Sequence, residues 1–515
     1  MKVTLISTAT FPSDQGIRTI SSVLKKAGHE VKIIFLKFSE DYTKRYPLNV
    51  LNQILQLSKY SDLIGINSFA STAPRAIQVI NQLKKHLPNK PIVWGGIHAT
   101  ISPEKCIEHC DIVCVGEAEE TIIELVEAIN KNKPINKIKN LWIKDNKTNK
   151  IIKNPVRNLI DDLDSLPAVD YEIEDHYILD NNKIIKFRES DLDGQIFFLT
   201  GRGCPYGCAY CSNDLLNKLY EGKRKQILRW HSPEYIIKEV IKLKKRFPNS
   251  LKYFDIRDDT FSMRPISQIK EFCKLYKEKV NMRFKCLSDP HTVSDEKIKA
   301  LVDAGCTDII IGIQGVERVN KEIYHRNQTD EQVINAGRII NKYKDKLTVM
   351  YDVIASNPYE KPEDIINMIR LLQKIPKPYF LSVNNLVFFT STPLYCKAKE
   401  DGIIKKEEDS AANLNYWDRA AHIKLKKKNM YLNLILNLMR GSATNTRFGL
   451  MPNTLINYLL KPQRIKRNLK NLTSTKNALV FVSKMDNIRE NILKPVYRST
   501  PVSFKAWYDK IRYRV

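Results

Sequence analysis

Thr200-Gly201-Arg202-Gly203-Cys204-Pro205-Tyr206-Gly207-Cys208-Ala209-Tyr210-Cys211 sets three cysteines, three and two residues apart, directly after the apolar run Phe197 to Thr200. Thiolates at that spacing can wrap one cube of iron and sulfide and leave its fourth iron with an open coordination position. Gly201, Gly203 and Gly207 let the backbone curl closely around such a cluster, and Tyr210 supplies an apolar wall. Structural zinc normally takes four protein ligands, and no second cysteine pair or histidine lies nearby in the sequence. A four-iron carrier without an open position would need a fourth ligand as well. Cys204, Cys208 and Cys211 are therefore the expected ligands of a 4Fe-4S cluster.

On either side of this loop the chain alternates strand and helix. From residue 196 to about 394, Phe197 to Thr200, Tyr253 to Ile256, Arg283 to Leu287, Asp308 to Ile313, Leu347 to Ile354 and Leu381 to Phe388 read as strands, with helices such as Pro233 to Lys244 between them. Six such units make a partial (β/α)6 barrel. Residues 1 to 130 alternate in the same way, with short strands rich in Val and Ile: Val3 to Ser7, Val31 to Leu36, Leu63 to Ser68, Ile92 to Gly95 and Ile112 to Gly116. They predict a doubly wound, flavodoxin-like parallel sheet buried on both faces. Residues 131 to 195 are polar and Lys-rich and read as a connector, with a hairpin at Asp145-Asn146. Residues 395 to 515 show helical spacing and basic clusters without strand alternation.

The residues at the strand ends carry a resemblance. Ile256-Arg257-Asp258-Asp259-Thr260-Phe261, Ile311-Gly312-Ile313-Gln314-Gly315, Arg326, and Asp352-Val353-Ile354 with Pro358 and Glu363-Asp364 are, together with the cysteine loop, similar to the radical S-adenosylmethionine (SAM) superfamily over residues 196 to 389. Residues 1 to 389 together resemble its cobalamin-binding branch. The resemblance implies three cofactors: the 4Fe-4S cluster, S-adenosyl-L-methionine and cobalamin. It implies that Asp258 and Asp259 face the SAM methionyl group, that Gln314 stands where relatives commonly carry Glu, that Arg326 lies near the SAM carboxylate and that Ile354 packs on adenine. Ser356-Asn357-Pro358 replaces the usual Gly-Leu-Pro turn.

In the first domain, ligands are expected beyond the carboxyl ends of the strands. Asn67-Ser68-Phe69, Trp94-Gly95-Gly96-Ile97-His98-Ala99 and Gly116-Glu117-Ala118-Glu119 are small and glycine-rich, which lets a bulky planar ligand approach the backbone. The resemblance assigns Gly95, Gly96 and Ser68 to the pocket for the cobalamin tail, and adds Phe69, Gly116, Glu117, Gln15 and Gly16 as cofactor-binding residues. The alternative is a flavodoxin-like domain whose glycines only make turns. The first loop, Phe11-Pro12-Ser13-Asp14-Gln15-Gly16, lacks the family's cobalt-ligating histidine. His98 then reads as a hydrogen-bonding residue at the pocket edge.

Composition bounds the function. A hydrophobic fraction of 43% supports packed cores. Ten cysteines are too few for a disulfide scaffold in a chain of 515 residues and suit a reducing cytoplasm. No apolar run is long enough to span a bilayer. The formal charge is +27, and from residue 401 onward 23 Lys and Arg face 8 Asp and Glu. Nucleic-acid binding or RNA modification is the reading from another class, but the excess is dispersed and lacks a recognition motif. The stretch 418 to 460 combines Tyr431, Leu432, Leu434, Ile435, Leu436, Leu438 and Met439 with Lys424, Lys426, Lys427 and Lys428. It suits either peripheral contact with the inner membrane face or a helix covering the barrel. The leading expectation is methyl transfer to an unactivated carbon through a 5′-deoxyadenosyl radical. Cyclisation, rearrangement or oxidoreduction, as in the anaerobic ester cyclases, is the alternative. The implied partners are a small-molecule or lipid-like substrate and an electron donor such as flavodoxin or ferredoxin.

Overall fold

Five of the apolar runs pair as parallel strands: β1 (Lys2–Ser7), β2 (Glu30–Phe35), β3 (Leu63–Asn67), β4 (Ile92–Gly95) and β5 (Ile112–Cys114). Across the sheet they run β5-β4-β3-β1-β2, so the chain reverses direction beside β1. Ile6, Ile34, Ile64, Ile92 and Val113 are almost wholly buried, as a sheet covered on both faces requires. Helices Gln15–Lys26 and Ala73–His86 make crossovers between parallel strands, and helix Glu119–Asn130 follows β5. Asp14 caps the first of them by accepting the Ile17 N–H. The computed structural model describes residues 1–39, 41–145, 148–223, 225–406, 410, 423–439 and 453–470. The chain forms two units, residues 1–286 with 387–415 and residues 287–386 with 416–515.

The stretch that reads as a connector builds sheet edges. β6 (Leu141–Lys144) joins β5 antiparallel and β7 (Ile151–Lys153) joins β6; on the other side β8 (His176–Asp180) joins β2 in parallel and β9 (Lys183–Lys186) joins β8. Lysines on exposed edge strands give the same composition as a polar linker, which is why the strands are hard to read. The expected hairpin is the β6–β7 pair; of its turn, Asn146 lies outside the described residues.

Six further strands follow in chain order, three in each unit, in the strand–helix alternation expected of a partial (β/α)6 barrel. In the first unit β10 (Gln195–Phe198) pairs in parallel with β13 (Tyr253–Ile256), and β13 with β14 (Arg283–Ser288). Between them the short strands β11 (Gly201–Arg202) and β12 (Arg229–Trp230) form an antiparallel brace. In the second unit β15 (Cys306–Gln314), β16 (Thr348–Ala355) and β17 (Phe380–Asn385) are parallel neighbours. The first and last strands end earlier than expected, at Phe198 and Asn385.

In the carboxyl-terminal region, helix Lys427–Leu438 buries Tyr431, Leu432, Leu434, Ile435 and Leu436 in the second unit, partly against helix Pro362–Lys374. Asn429, Asn433 and Asn437 are buried as well, each at the next helical turn. The Asn433 side chain donates to the Asn429 carbonyl and that of Asn437 to the Asn433 carbonyl, at 2.8 and 2.9 Å. The residues that a membrane would have to cover are thus inside the unit. Among the described residues no helix is long and apolar enough to cross a membrane. Asp418 lies outside the described residues.

Candidate functional site: a cysteine loop beside a glycine-floored cleft

The loop after β10 is held at its base by Asp258. The Thr200 and Gly201 N–H groups donate to one Asp258 oxygen at 2.6 and 3.1 Å, and the Thr200 hydroxyl donates to the other. Burial pushes this carboxyl up to about 6, and burial likewise lowers the adjacent Arg264 to about 10. The Arg264 guanidinium donates to the Thr200 carbonyl and hydroxyl. Asp258, expected to face SAM, is therefore engaged in shaping the loop. Asp259 is exposed, interacts with Asn213 and acts electrostatically on Cys204.

Gly203 has φ +96°, and a Cβ there would collide with the Ile227 carbonyl, so the turn before Cys204 requires glycine. The Cys211 N–H donates to the Cys208 carbonyl at 2.9 Å, and Asn217 donates to the Cys204 carbonyl at 2.9 Å. Cys211 is the N-cap of helix Ser212–Leu219. Cys204 feels the charges of Cys208 and Cys211, and burial pushes its thiol up to about 12. Metal binding is then what would hold it as thiolate. No group of three or more Cys, His, Asp or Glu among the described residues is drawn together as a ready metal site. Tyr210 is half-buried beside the cysteines.

A cavity of about 290 Å³ opens at the carboxyl ends of β1, β3, β4 and β5. Gly65, Gly95, Gly96 and Gly116 line it from the sheet side, and Ile17 and Leu125 from the helices. A Cβ on Gly65 would stand 2.7 Å from the Leu5 side chain. Gly96 and Gly116 have φ +88° and +87°, and side chains there would run into Asn67 and Tyr220. Over Gly95 the space is open, the nearest atom being the Cys114 Cβ at 3.9 Å. An apolar slot with a glycine floor fits a flat aromatic base, so these residues fit the cobalamin tail. Ser68 is fully buried and accepts the Trp94 indole N–H at 3.0 Å, and Phe69 is exposed; neither is among the residues that line the cavity. His98 is buried with its ring 5.8 Å from that of Trp94. In the first loop the Asp14 carboxylate accepts from the Ser7 hydroxyl at 2.6 Å and from the Asn67 amide at 2.5 Å.

Gln15 and Glu117 join this cleft to the barrel. The Gln15 amide donates to the Phe197 carbonyl at 2.8 Å and accepts the Leu199 N–H at 2.6 Å, continuing the hydrogen bonding of β10; Gly16 lines the cavity. The Glu117 carboxylate lies 2.7 Å from Arg229 and 3.3 Å from Arg202, and Arg202 also reaches Glu119 at 2.7 Å. The Glu117 N–H donates to the Tyr220 hydroxyl at 2.7 Å. Arg202, Arg229 and Tyr220 escape sequence reasoning. Arg202 stands inside the cysteine motif, but nothing local pairs it with Glu117.

In the second unit Gln314 has φ +66° at an irregularity in β15, and its amide folds over Gly312. Arg326 lies in the loop after helix Glu317–Glu322, not on a helix, and is buried. It pairs with Asp289 and donates to the Gly312 carbonyl at 3.2 Å and to Gln328 at 3.1 Å. Ile354 is half-buried on the same face of β16 as Met350 and Asp352. In the altered turn Ser356 has φ +59°, and its N–H donates to the Asn433 amide oxygen at 2.9 Å. Burial pushes Glu360, in the following turn, up to about 8.

A B12 binding domain model matches residues 1–126 and a radical SAM superfamily model matches residues 198–372. An uncharacterized methyltransferase of Pyrococcus horikoshii is 28% identical over 371 residues, 71% of this chain and 74% of its own length. The bacteriochlorophyllide d C-8(2)-methyltransferase of Chlorobaculum tepidum is 23% identical over 361 residues, 67% of this chain and 70% of its own. Among solved structures, the cobalamin-dependent SAM radical enzyme OxsB has the same fold, with a TM-score of 0.66 at 15% identity over 99% of this chain and 84% of its own. The chain carries a cobalamin-binding domain and a radical SAM domain and belongs to the cobalamin-dependent branch of the radical SAM enzymes, for which cobalamin, a 4Fe-4S cluster and SAM are typical.

Proposed function

We propose that this radical SAM enzyme transfers a methyl group to an unactivated carbon of a small-molecule or lipid-like substrate. The observation that carries the reading is the Glu117 joint. The rim of the glycine-lined cleft and the base of the cysteine loop share one ion-pair network, which would hold cofactors bound at the two places at a set separation. Two relatives named as methyltransferases support the same reading.

When bound, the cofactors supply a radical from SAM and a transferable methyl group on cobalt. The chain's own residues bind and aim them. Cys204, Cys208 and Cys211 would hold the cluster, Gly65, Gly95, Gly96 and Gly116 would admit the cobalamin tail, and Gln15 and Glu117 keep the sheet against the barrel. Electrons come from an external donor of the flavodoxin or ferredoxin class.

The test is anaerobic incubation of the reconstituted enzyme with a reductant, cell extract and SAM carrying a trideuterated methyl group. Mass spectrometry is expected to find 5′-deoxyadenosine together with a product bearing the label. 5′-Deoxyadenosine with a changed but unlabelled product would replace methyl transfer by cyclisation or rearrangement.

A further inference from the structure

On the strands of the first unit, side chains alternate between two faces. Phe284 packs against Phe272 and Tyr276 of helix Ile266–Lys279, with ring centroids 5.9 and 4.9 Å apart, so its face is the outer one. Lys285, next in sequence, points to the inner face. The register sets Phe197 opposite Asp255 and Asp255 opposite Lys285. Arg257 continues the inner row of β13, and its N–H bonds to the Phe198 carbonyl at 3.0 Å. One inner row therefore carries an aromatic ring, a carboxylate and two cations.

The charges in this row are unequal. Arg257 lies 2.7 Å and Lys285 3.4 Å from the same Asp255 oxygen. Neither contact has hydrogen-bond geometry, and the buried Arg257 Nε has no hydrogen-bond partner among the described residues. The Arg257 guanidinium lies over the Phe197 ring, 4.8 Å from its centroid, which holds the fork in place. Asp255 is fully buried, while the Arg257 and Lys285 side chains are 38% and 21% exposed, so both cations can reach a ligand. Two cations on one carboxylate leave one positive charge, and the partly exposed planar guanidinium has the donor geometry that suits oxyanions.

We infer that Arg257 and Lys285, sharing Asp255 on the inner face of the barrel, recognise an oxyanion of the substrate, a carboxylate or a phosphate. This deepens the methyl-transfer reading and rests on it for the word substrate. The site binds an acid group on the bound molecule and leaves the rest of that molecule free to reach the cofactors.

The test uses the cluster- and cobalamin-loaded protein with saturating SAM, and follows the ³¹P linewidth of inorganic phosphate and the ¹³C linewidth of acetate. Saturable broadening is expected for one of the two probes, which tells phosphate from carboxylate. Arg257→Gln should weaken it about tenfold or more, Lys285→Gln should weaken it less, and Arg257→Lys should restore part of it. Loss of the same charge at exposed Lys59 (Lys59→Gln) should leave it unchanged. If Arg257→Gln does not fold, Asp255→Asn/Arg257→Gln removes the carboxylate together with its partner and answers the same question. Broadening that is insensitive to Arg257, or that is seen only when SAM is left out, overturns the inference. Neither result depends on product formation, so labelled methyl transfer without anion binding sinks this site alone, and anion binding without methyl transfer leaves it standing.

Discussion

The carboxylate of Glu117 stands 2.7 Å from the guanidinium of Arg229, joining the end of β5 to β12, the strand that braces the cysteine loop. Arg229 is almost wholly buried, so breaking the pair strands a charge that water cannot reach. Glu117→Gln should destabilise the joint by on the order of 3 kcal/mol. Faster amide exchange is expected in residues 116–119 and 201–203, together with faster loss of cobalamin from the loaded protein. Unchanged exchange in both segments would show that the joint is not coupled. The arginines hold the Glu117 carboxyl below its usual range, so its contribution to stability is present above about 4.5 and is lost as the pH falls through the depressed value.

Asp258 has the opposite sign. Its carboxyl is raised from 3.8 to about 6 by burial, so the folded protein binds this proton more tightly than the unfolded chain does. The group's contribution is fullest below pH 3.8 and declines as the pH rises to about 6. The melting midpoint of the wild-type protein minus that of Asp258→Asn should therefore decrease between pH 4 and 7. A difference that is flat across this window would refute the shift. Asp258→Ala, which leaves the Thr200 and Gly201 N–H groups without their acceptor, should lower the iron content after anaerobic reconstitution.

The cysteines make a sharper prediction. Alanine at Cys204, Cys208 or Cys211 should abolish iron loading and 5′-deoxyadenosine formation. Alanine at any one of Cys106, Cys110, Cys114, Cys273, Cys286, Cys306 or Cys396 should leave the iron content near wild type. Cys106, Cys110 and Cys114 are buried in or against the first sheet, where burial keeps their thiols protonated. If the triple variant still releases 5′-deoxyadenosine from SAM, the ligand assignment fails.

The parallel strands were legible because strands buried on both faces read as unbroken apolar runs, and the cysteine loop because its spacing is local. The outer strands β6 to β9 were not, since their polar faces look like a linker. The cavity was legible where backbone shape builds it, as at Gly96 and Gly116, which line it with positive φ. The pairings across sequence distance were hidden, as for Glu117 with Arg229 and Asp255 with Lys285, because the partners lie far apart in the chain. Asp258 and Arg326 sit in the motifs that resemble the family's, yet their side chains hold Thr200 and Asp289. Those partners lie 58 and 37 residues away in the chain, so no local pattern shows them.

Gly95 separates cobalamin binding from folding. Gly96 and Gly116 have positive φ and neighbours that a side chain would strike, so substitution there strains the fold whether or not a ligand binds. Gly95 has neither constraint: its backbone suits any residue, and a Cβ would meet only the Cys114 Cβ, at 3.9 Å. Gly95→Val should therefore fold and load iron as the wild type does, while the added methyl groups enter the cavity that the cobalamin tail needs. Cobalamin retained after gel filtration should fall at least about tenfold, a loss of roughly 1.4 kcal/mol or more in binding. His98→Ala serves as the companion variant. Its ring is buried against Trp94, and the first loop carries no histidine, so the electron paramagnetic resonance spectrum of bound cobalt(II) should be the same with and without it. Nitrogen hyperfine coupling that disappears in His98→Ala would make this histidine a cobalt ligand. Full cobalamin retention in Gly95→Val would move the tail out of the cleft.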